Sequence, residues 1–176
     1  MMNKYIKLLV ITIFSLYLQN TFAATQCNQP INSEKDNFMI GYGSLIEAQS
    51  RQRTNPEAKN VYPVEVSGFK RTWGKPSANY KTNFLTLVKD KNASLNAVYY
   101  PIDTKSIKNT DTRENSYCRV LVPKKDLTTL GLNHLPDGDY WVYAQKDNKL
   151  DLPSKKYPIA QSYVDIFLNG CIANTI

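Results

Sequence analysis

Phe38-Met39-Ile40-Gly41-Tyr42-Gly43-Ser44-Leu45 is the stretch on which the fold turns. Its first five residues read as a strand, apolar or aromatic around a single glycine and halted by a turn-forming pair. Gly43-Ser44 then opens a helix from Leu45 to about residue 53, where Asn55-Pro56 stops it. A strand that enters a helix through Gly-x-Gly-Ser brings several backbone N–H groups toward one point. Glycine permits close approach, and the first helical turn leaves its donors unpaired. Such a turn suits a carboxylate or an oxyanion, although Gly and Ser also serve there simply as turn and N-cap formers.

Downstream, residues 61–69 read as a second strand. Residues 84–88 and 95–100, on either side of Asp90-Lys91-Asn92, read as a β-hairpin. Residues 117–122 and 140–144 add two more strands. Ile159, Tyr163, Ile166, Phe167, Gly170 and Cys171 recur at helical spacing, which predicts an amphipathic helix over about 158–173. Six short strands with helices near both ends imply an α+β fold, a small mixed β-barrel or strongly curved sheet with flanking helices. The 176 residues suit one domain, and 42% hydrophobic with 21% charged residues is ordinary globular usage.

The first residues stand apart from that domain. Lys4 and Lys7 precede an apolar run from Leu8 to Leu18, and Thr21 and Ala23 supply small residues beyond it. This pattern describes a secretory signal peptide over 1–23, which leaves the domain at 24–176 exported, periplasmic or secreted. The apolar run is shorter than the roughly 20 residues of a membrane span, so no membrane association is expected after cleavage. The formal charge of +7 includes Lys4 and Lys7, and the remaining surplus is scattered, without an arginine stripe interleaved with aromatics. Nucleic acid is therefore not an expected partner. Export permits a disulfide, and Cys27 paired with Cys171 would tie the mature N-terminus to the last helix. Cys118, in the alternating strand Cys118-Val120-Val122, reads as a buried free thiol.

His134 is the only histidine and has no ligand-spaced companion, so neither a metal nor a histidine-based nucleophile is expected, and no cofactor is called for. The segment Asp111-Thr112-Arg113-Glu114-Asn115-Ser116-Tyr117-Cys118-Arg119-Val120 carries more chemistry. Glu114 lies just before an apolar strand, from which a carboxylate can enter a pocket of low polarity and gain proton affinity. The competing reading is a surface glutamate paired with Arg113 or Arg119.

Taken in order, Tyr42-Gly43-Ser44-Leu45, Val66-Ser67-Gly68-Phe69-Lys70-Arg71, Asn96-Ala97-Val98-Tyr99-Tyr100, Arg113-Glu114, Tyr117-Cys118-Arg119-Val120, Trp141-Val142-Tyr143 and the run from Ser162 to Cys171 resemble the γ-glutamylcyclotransferase-like family. The resemblance covers roughly residues 37–172. It implies the family's small mixed barrel and an enzyme that releases 5-oxoproline from a small-molecule γ-glutamyl substrate. It also implies that Tyr42, Gly43, Ser44 and Leu45 form the substrate-binding loop and that Glu114 is the catalytic acid/base. Tyr117, Tyr143 and Tyr163 are similar to the family's pocket-lining aromatics, although most of the 12 tyrosines must serve packing. The leaving group and the oligomeric state stay open. The alternative of another class is an exported binding module that uses the same pocket for a γ-glutamyl or amino-acid-like ligand without turnover.

Overall fold

The computed structural model describes residues 27–132 and 134–176; the signal peptide expected over 1–23 lies outside them. At its centre is β1 (Asn37–Gly41), with all five residues buried. Phe38 and Ile40, continued by Tyr42, join one apolar cluster, whereas Met39 joins another on the opposite face. This alternation is the two-residue period of a strand covered on both sides.

The remaining elements are α1 (Ala48–Gln52), β2 (Tyr62–Ser77), β3 (Thr82–Pro101), α2 (Thr104–Arg113), β4 (Cys118–Val122), β5 (Leu127–Thr129), β6 (Asp139–Ala144) and α3 (Gln161–Ala173). The six strands form one curled sheet in the order β4-β6-β1-β3-β2-β5, flanked by the three helices in an α+β arrangement. Among the described residues, only the β1–β6 pairing is parallel; the other four pairings are antiparallel. Tyr163 and Phe167 of α3 pack on the cluster containing Ile40, Leu85 and Val142, and Ile107 of α2 packs with Met39, Tyr100 and Trp141. The indole N–H of buried Trp141 donates to Asn37 Oδ1 at 2.8 Å, which satisfies both polar groups inside the core.

Several local expectations change. The helix expected from Leu45 is a 3-10 turn, Ser44–Ile46, followed by the separate α1, because Glu47 takes an extended conformation and caps α1 through its carboxylate to the N–H groups of Gln49 and Ser50. Residues 84–88 and 95–100 do not form a hairpin with each other. Both belong to β3 and pair with β2, and the connection is made instead at residues 78–81. Asp90 still behaves as a turn former, accepting from Asn92 N–H at 3.0 Å. The result is an excursion in β3, where the register jumps from Ser67↔Ser94 to Phe69↔Lys89 opposite Gly68, whose φ is +84°. Local turn chemistry was expressed, and cross-strand pairing decided what it did. The last helix begins at Gln161, not at Pro158, because the Pro158 carbonyl accepts the N–H and hydroxyl groups of β3 residues Asn83 and Thr82.

The cysteine pairing is also corrected. Cys27 is bonded to Cys118, with Cα atoms 4.9 Å apart, and Cys171 is free. The cause is the path of the chain before β1, which runs along the outer edge of β4. Asn28 N–H donates to Arg119 O at 3.0 Å, Arg119 N–H to Asn28 Oδ1 at 3.1 Å, and Leu121 N–H to Gln29 Oε1 at 3.1 Å. Cys27 is thereby placed opposite Cys118, and an edge strand that would otherwise be open is covered. Cys118 is buried as the strand pattern required, but as half of a disulfide.

Candidate active site

The end of β1 and the chain after it form one wall of a cavity of about 830 Å³. Within the 3-10 turn, Ile46 N–H donates to Gly43 O and Glu47 N–H to Ser44 O. The earlier N–H groups of Ser44 and Leu45 therefore fall outside the turn's own bonds. The Tyr163 hydroxyl lies against this loop. A Cβ at residue 43 would stand 2.9 Å from it, so the glycine is what lets α3 close over the loop. Burial raises the Tyr163 pKa, and backbone hydrogen bonds from Leu85 and Ser44 work against it, leaving the value at about 12.

Two other anchors hold the loop in place. From β2, the Arg71 guanidinium donates to Tyr42 O at 2.9 Å and to Asn96 Oδ1 at 2.6 Å, which fixes the chain as it leaves β1. From α3, Gly170 packs directly on the loop backbone, where a Cβ would come within 2.8 Å of Glu47 N and 2.9 Å of Ile46 C.

Glu114 enters from another direction. It is the C-cap of α2, its N–H donates to Thr110 O at 2.8 Å, and its carbonyl accepts from Tyr117 N–H at 2.8 Å. The side chain is only 16% exposed, and Oε1 lies 3.1 Å from Arg113 Nε. Burial pushes the Glu114 pKa above the usual carboxylate range, and the Arg113 charge opposes that rise. The rest of the Arg113 fork donates to Ser50 O at 2.6 Å, Ser50 Oγ at 2.9 Å and Ser44 Oγ at 3.2 Å. One arginine thus bridges the carboxylate, α1 and the Gly43–Ser44 loop. Pairing with Arg113 was one of the two fates foreseen for Glu114, and it occurs here within a cavity wall and not on the open surface. Arg119 is engaged elsewhere, with Asp111 Oδ1 at 2.9 Å and the Trp141 ring at 4.5 Å.

Tyrosines surround the carboxylate. Burial raises the pKa values of Tyr42, Tyr100, Tyr117, Tyr143 and Tyr163, and the charge of Glu114 adds to the rise in each. All five therefore stay protonated near neutral pH and offer hydroxyls, not phenolates. The Tyr117 hydroxyl donates to Leu85 O at 2.9 Å, and that of Tyr143 donates to Asp111 Oδ1 at 2.7 Å, so each keeps acceptor capacity. All eight residues singled out in the sequence, Tyr42, Gly43, Ser44, Leu45, Glu114, Tyr117, Tyr143 and Tyr163, line this one cavity. Ser50, Lys75 and Leu85 also line the cavity without having been expected there, and Arg113 is more than a partner for Glu114. Arg113 had a signal, its position beside Glu114 at the end of a segment capped by Asp103. Lys75 had none, being one lysine among a scattered set.

Chemically, the site offers a shielded carboxylate of raised proton affinity, a backbone turn able to take an oxygen, and neutral phenols around both. This combination suits proton transfer on a small, folded polar substrate.

No family model matches the sequence, and no curated protein matches it either. Solved structures do match the fold. One described as a gamma-glutamyl cyclotransferase aligns with a TM-score of 0.64 at 14% identity, over 81% of this chain and 82% of that one. YkqA from Bacillus subtilis aligns at 0.59 and 16% identity over 78% of this chain, which spans about half (49%) of its length. A yeast cyclotransferase described as specific to glutathione aligns at 0.50 and 14% identity, over 80% of this chain and 89% of that one. The fold is thus that of γ-glutamylcyclotransferase-like proteins, as the sequence resemblance implied.

Proposed function

We propose that this protein is a γ-glutamylcyclotransferase-type enzyme, releasing 5-oxoproline from a γ-glutamyl compound with Glu114 as its acid/base. The observation that carries the reading is the meeting, in one cavity, of a largely shielded carboxylate of raised pKa with the Tyr42–Leu45 loop. The fold shared with a gamma-glutamyl cyclotransferase supports it.

In the reaction, the α-amine of the glutamyl group attacks its own γ-carbonyl, a five-membered lactam closes, and the C–N bond to the leaving amine breaks. The α-nitrogen sheds two protons, one as the ammonium becomes the attacking amine and one as that amine becomes the lactam N–H. Glu114 takes each in turn and passes it to the departing nitrogen, which leaves as an ammonium, so no proton is gained or lost overall. The N–H group of Leu45 stabilises the charge that develops on the γ-oxygen, and the enclosing tyrosines hold the substrate curled. The test is to incubate the protein with a panel of γ-glutamyl amino acids, peptides and amines and to measure 5-oxoproline. Release from none of them would defeat the reading.

A pH dependence follows. Glu114 must be ionised in the free enzyme to take the ammonium proton, and its pKa is raised. Activity is therefore lost as pH falls through a value above the ordinary glutamate pKa of about 4.3. An acid limb of kcat/KM at or below that value would contradict Glu114 as a desolvated base.

Export is part of the same proposal. The leader pattern at 1–23 motivates it, and the Cys27–Cys118 bond supports a compartment in which disulfides persist. Mass analysis of the exported protein should find an N-terminus near Ala24; an intact Met1 would rule out cleavage there.

A further inference from the structure

β2 slips out of register with β3 between Trp73 and Lys75. The fully buried Asn83 fixes this irregularity, its Oδ1 accepting Lys75 N–H at 3.1 Å while its amide donates to Asp151 O at 2.7 Å. Irregularities of this kind re-aim side chains, and here Lys75 joins the cavity wall. Its ammonium donates to Ser116 O at 2.5 Å and stands 5.3 Å from the centre of the Tyr117 ring. An ammonium has three N–H donors, and a single backbone carbonyl does not neutralise its charge.

Among the described residues, no carboxylate lies within ion-pair distance of Lys75. Burial lowers its pKa, and Asp147 and Asp151 oppose this only at longer range. Arg113, a second cation of the cavity wall, is committed to Glu114, Ser50 and Ser44. Arg53 adds a third positive charge at the exposed edge. The cavity wall therefore carries three cations against the single carboxylate of Glu114. The cation whose charge reaches Glu114 is Arg113, which leaves Lys75 to act on a different part of a bound molecule.

We infer that Lys75 binds a carboxylate on the leaving group, so that the substrates are γ-glutamyl amino acids or short peptides with a free carboxylate, not γ-glutamyl amines. The inference rests on the cyclotransferase reading and assigns the half of the substrate which that chemistry leaves open. The glutamyl half reacts at Glu114 and the loop; the expelled amine carries its carboxylate to the β2 irregularity.

The experiment compares γ-glutamylglycine with γ-glutamylethylamide, which shares the reacting end and lacks the carboxylate. Wild type is expected to favour γ-glutamylglycine in kcat/KM by about 10-fold to 100-fold, mainly through KM, the range of a hydrogen bond to a charged group. In Lys75→Met that ratio should fall to near one, and in Lys75→Arg most of it should persist. The ratio is the readout, so a general loss of activity does not mimic the effect. Retention of the preference in Lys75→Met, or no preference in wild type, would overturn the inference while leaving the cyclotransferase reading intact. If neither compound yields 5-oxoproline, the full γ-glutamyl panel decides the cyclotransferase reading, and equilibrium binding of the two compounds decides the subsite. There, tighter binding of γ-glutamylglycine that depends on Lys75 sustains it, and equal or absent binding overturns it.

Discussion

Replacing Glu114 with Gln is expected to cut 5-oxoproline release by at least about 10²-fold and as much as 10⁴-fold, the span of general acid–base contributions. One residue handling both transfers belongs toward the upper end. Gln preserves the volume and can still accept from Arg113 Nε, now 3.1 Å from Oε1, so the bridge from Arg113 to Ser44 and Ser50 has reason to survive. What it lacks is a proton that comes and goes. Substrate binding and the circular dichroism spectrum should therefore change little. A glutamate that served only as an ion-pair partner would behave differently, its loss costing about 1 kcal/mol or less of stability with turnover nearly untouched. Near-equal rates for wild type and Glu114→Gln on the best panel substrate would remove Glu114 from the chemistry and favour a binding role for the cavity.

The parts of the fold legible in the sequence are those whose burial pattern is local. β1 and β6 are short, largely apolar and buried, and β4 is buried except at Leu121, so their side chains mark them directly. α2 is the opposite case. Thr104–Arg113 has Ile107 as its only buried apolar residue, and the buried Ser106 and Thr110 do not look like a core-facing stripe. Its one plain signal is Asp103, whose carboxylate caps the helix by accepting Ser106 N–H at 2.6 Å. The number of strands, six, was anticipated for a partly mistaken reason. β3 was divided in two at Asp90-Lys91-Asn92, and the three-residue β5 was not seen. In the site, Tyr42–Leu45 and Glu114 carry recognisable local patterns. The role of Arg113 as a bridge and the re-aiming of Lys75 depend on which strands and helices meet, and single-chain periodicity holds no record of that.

Tertiary placement also decides the cysteines, and the disulfide gives the second large effect. The bond closes a sequence separation of 91 residues. Cross-linking so long a loop restricts the unfolded chain strongly, and removing a native disulfide typically costs about 2–5 kcal/mol. Cys27→Ser is the informative variant, because Ser at the buried Cys118 would add the separate cost of enclosing a hydroxyl. Loss of the bond also frees the segment around Asn28 and Gln29 from the edge of β4, the strand that begins four residues after Glu114. The expected result is a lower denaturation midpoint for Cys27→Ser, matched by chemical reduction of wild type, with Cys171→Ser much closer to wild type. Non-reducing peptide mapping should recover Cys27 linked to Cys118 and Cys171 as a thiol. Recovery of a Cys27–Cys171 peptide, or of three thiols from the oxidised protein, would show that this pairing is wrong. A loss of stability in Cys171→Ser as large as in Cys27→Ser would show that the last helix, not the edge of β4, carries the cross-link.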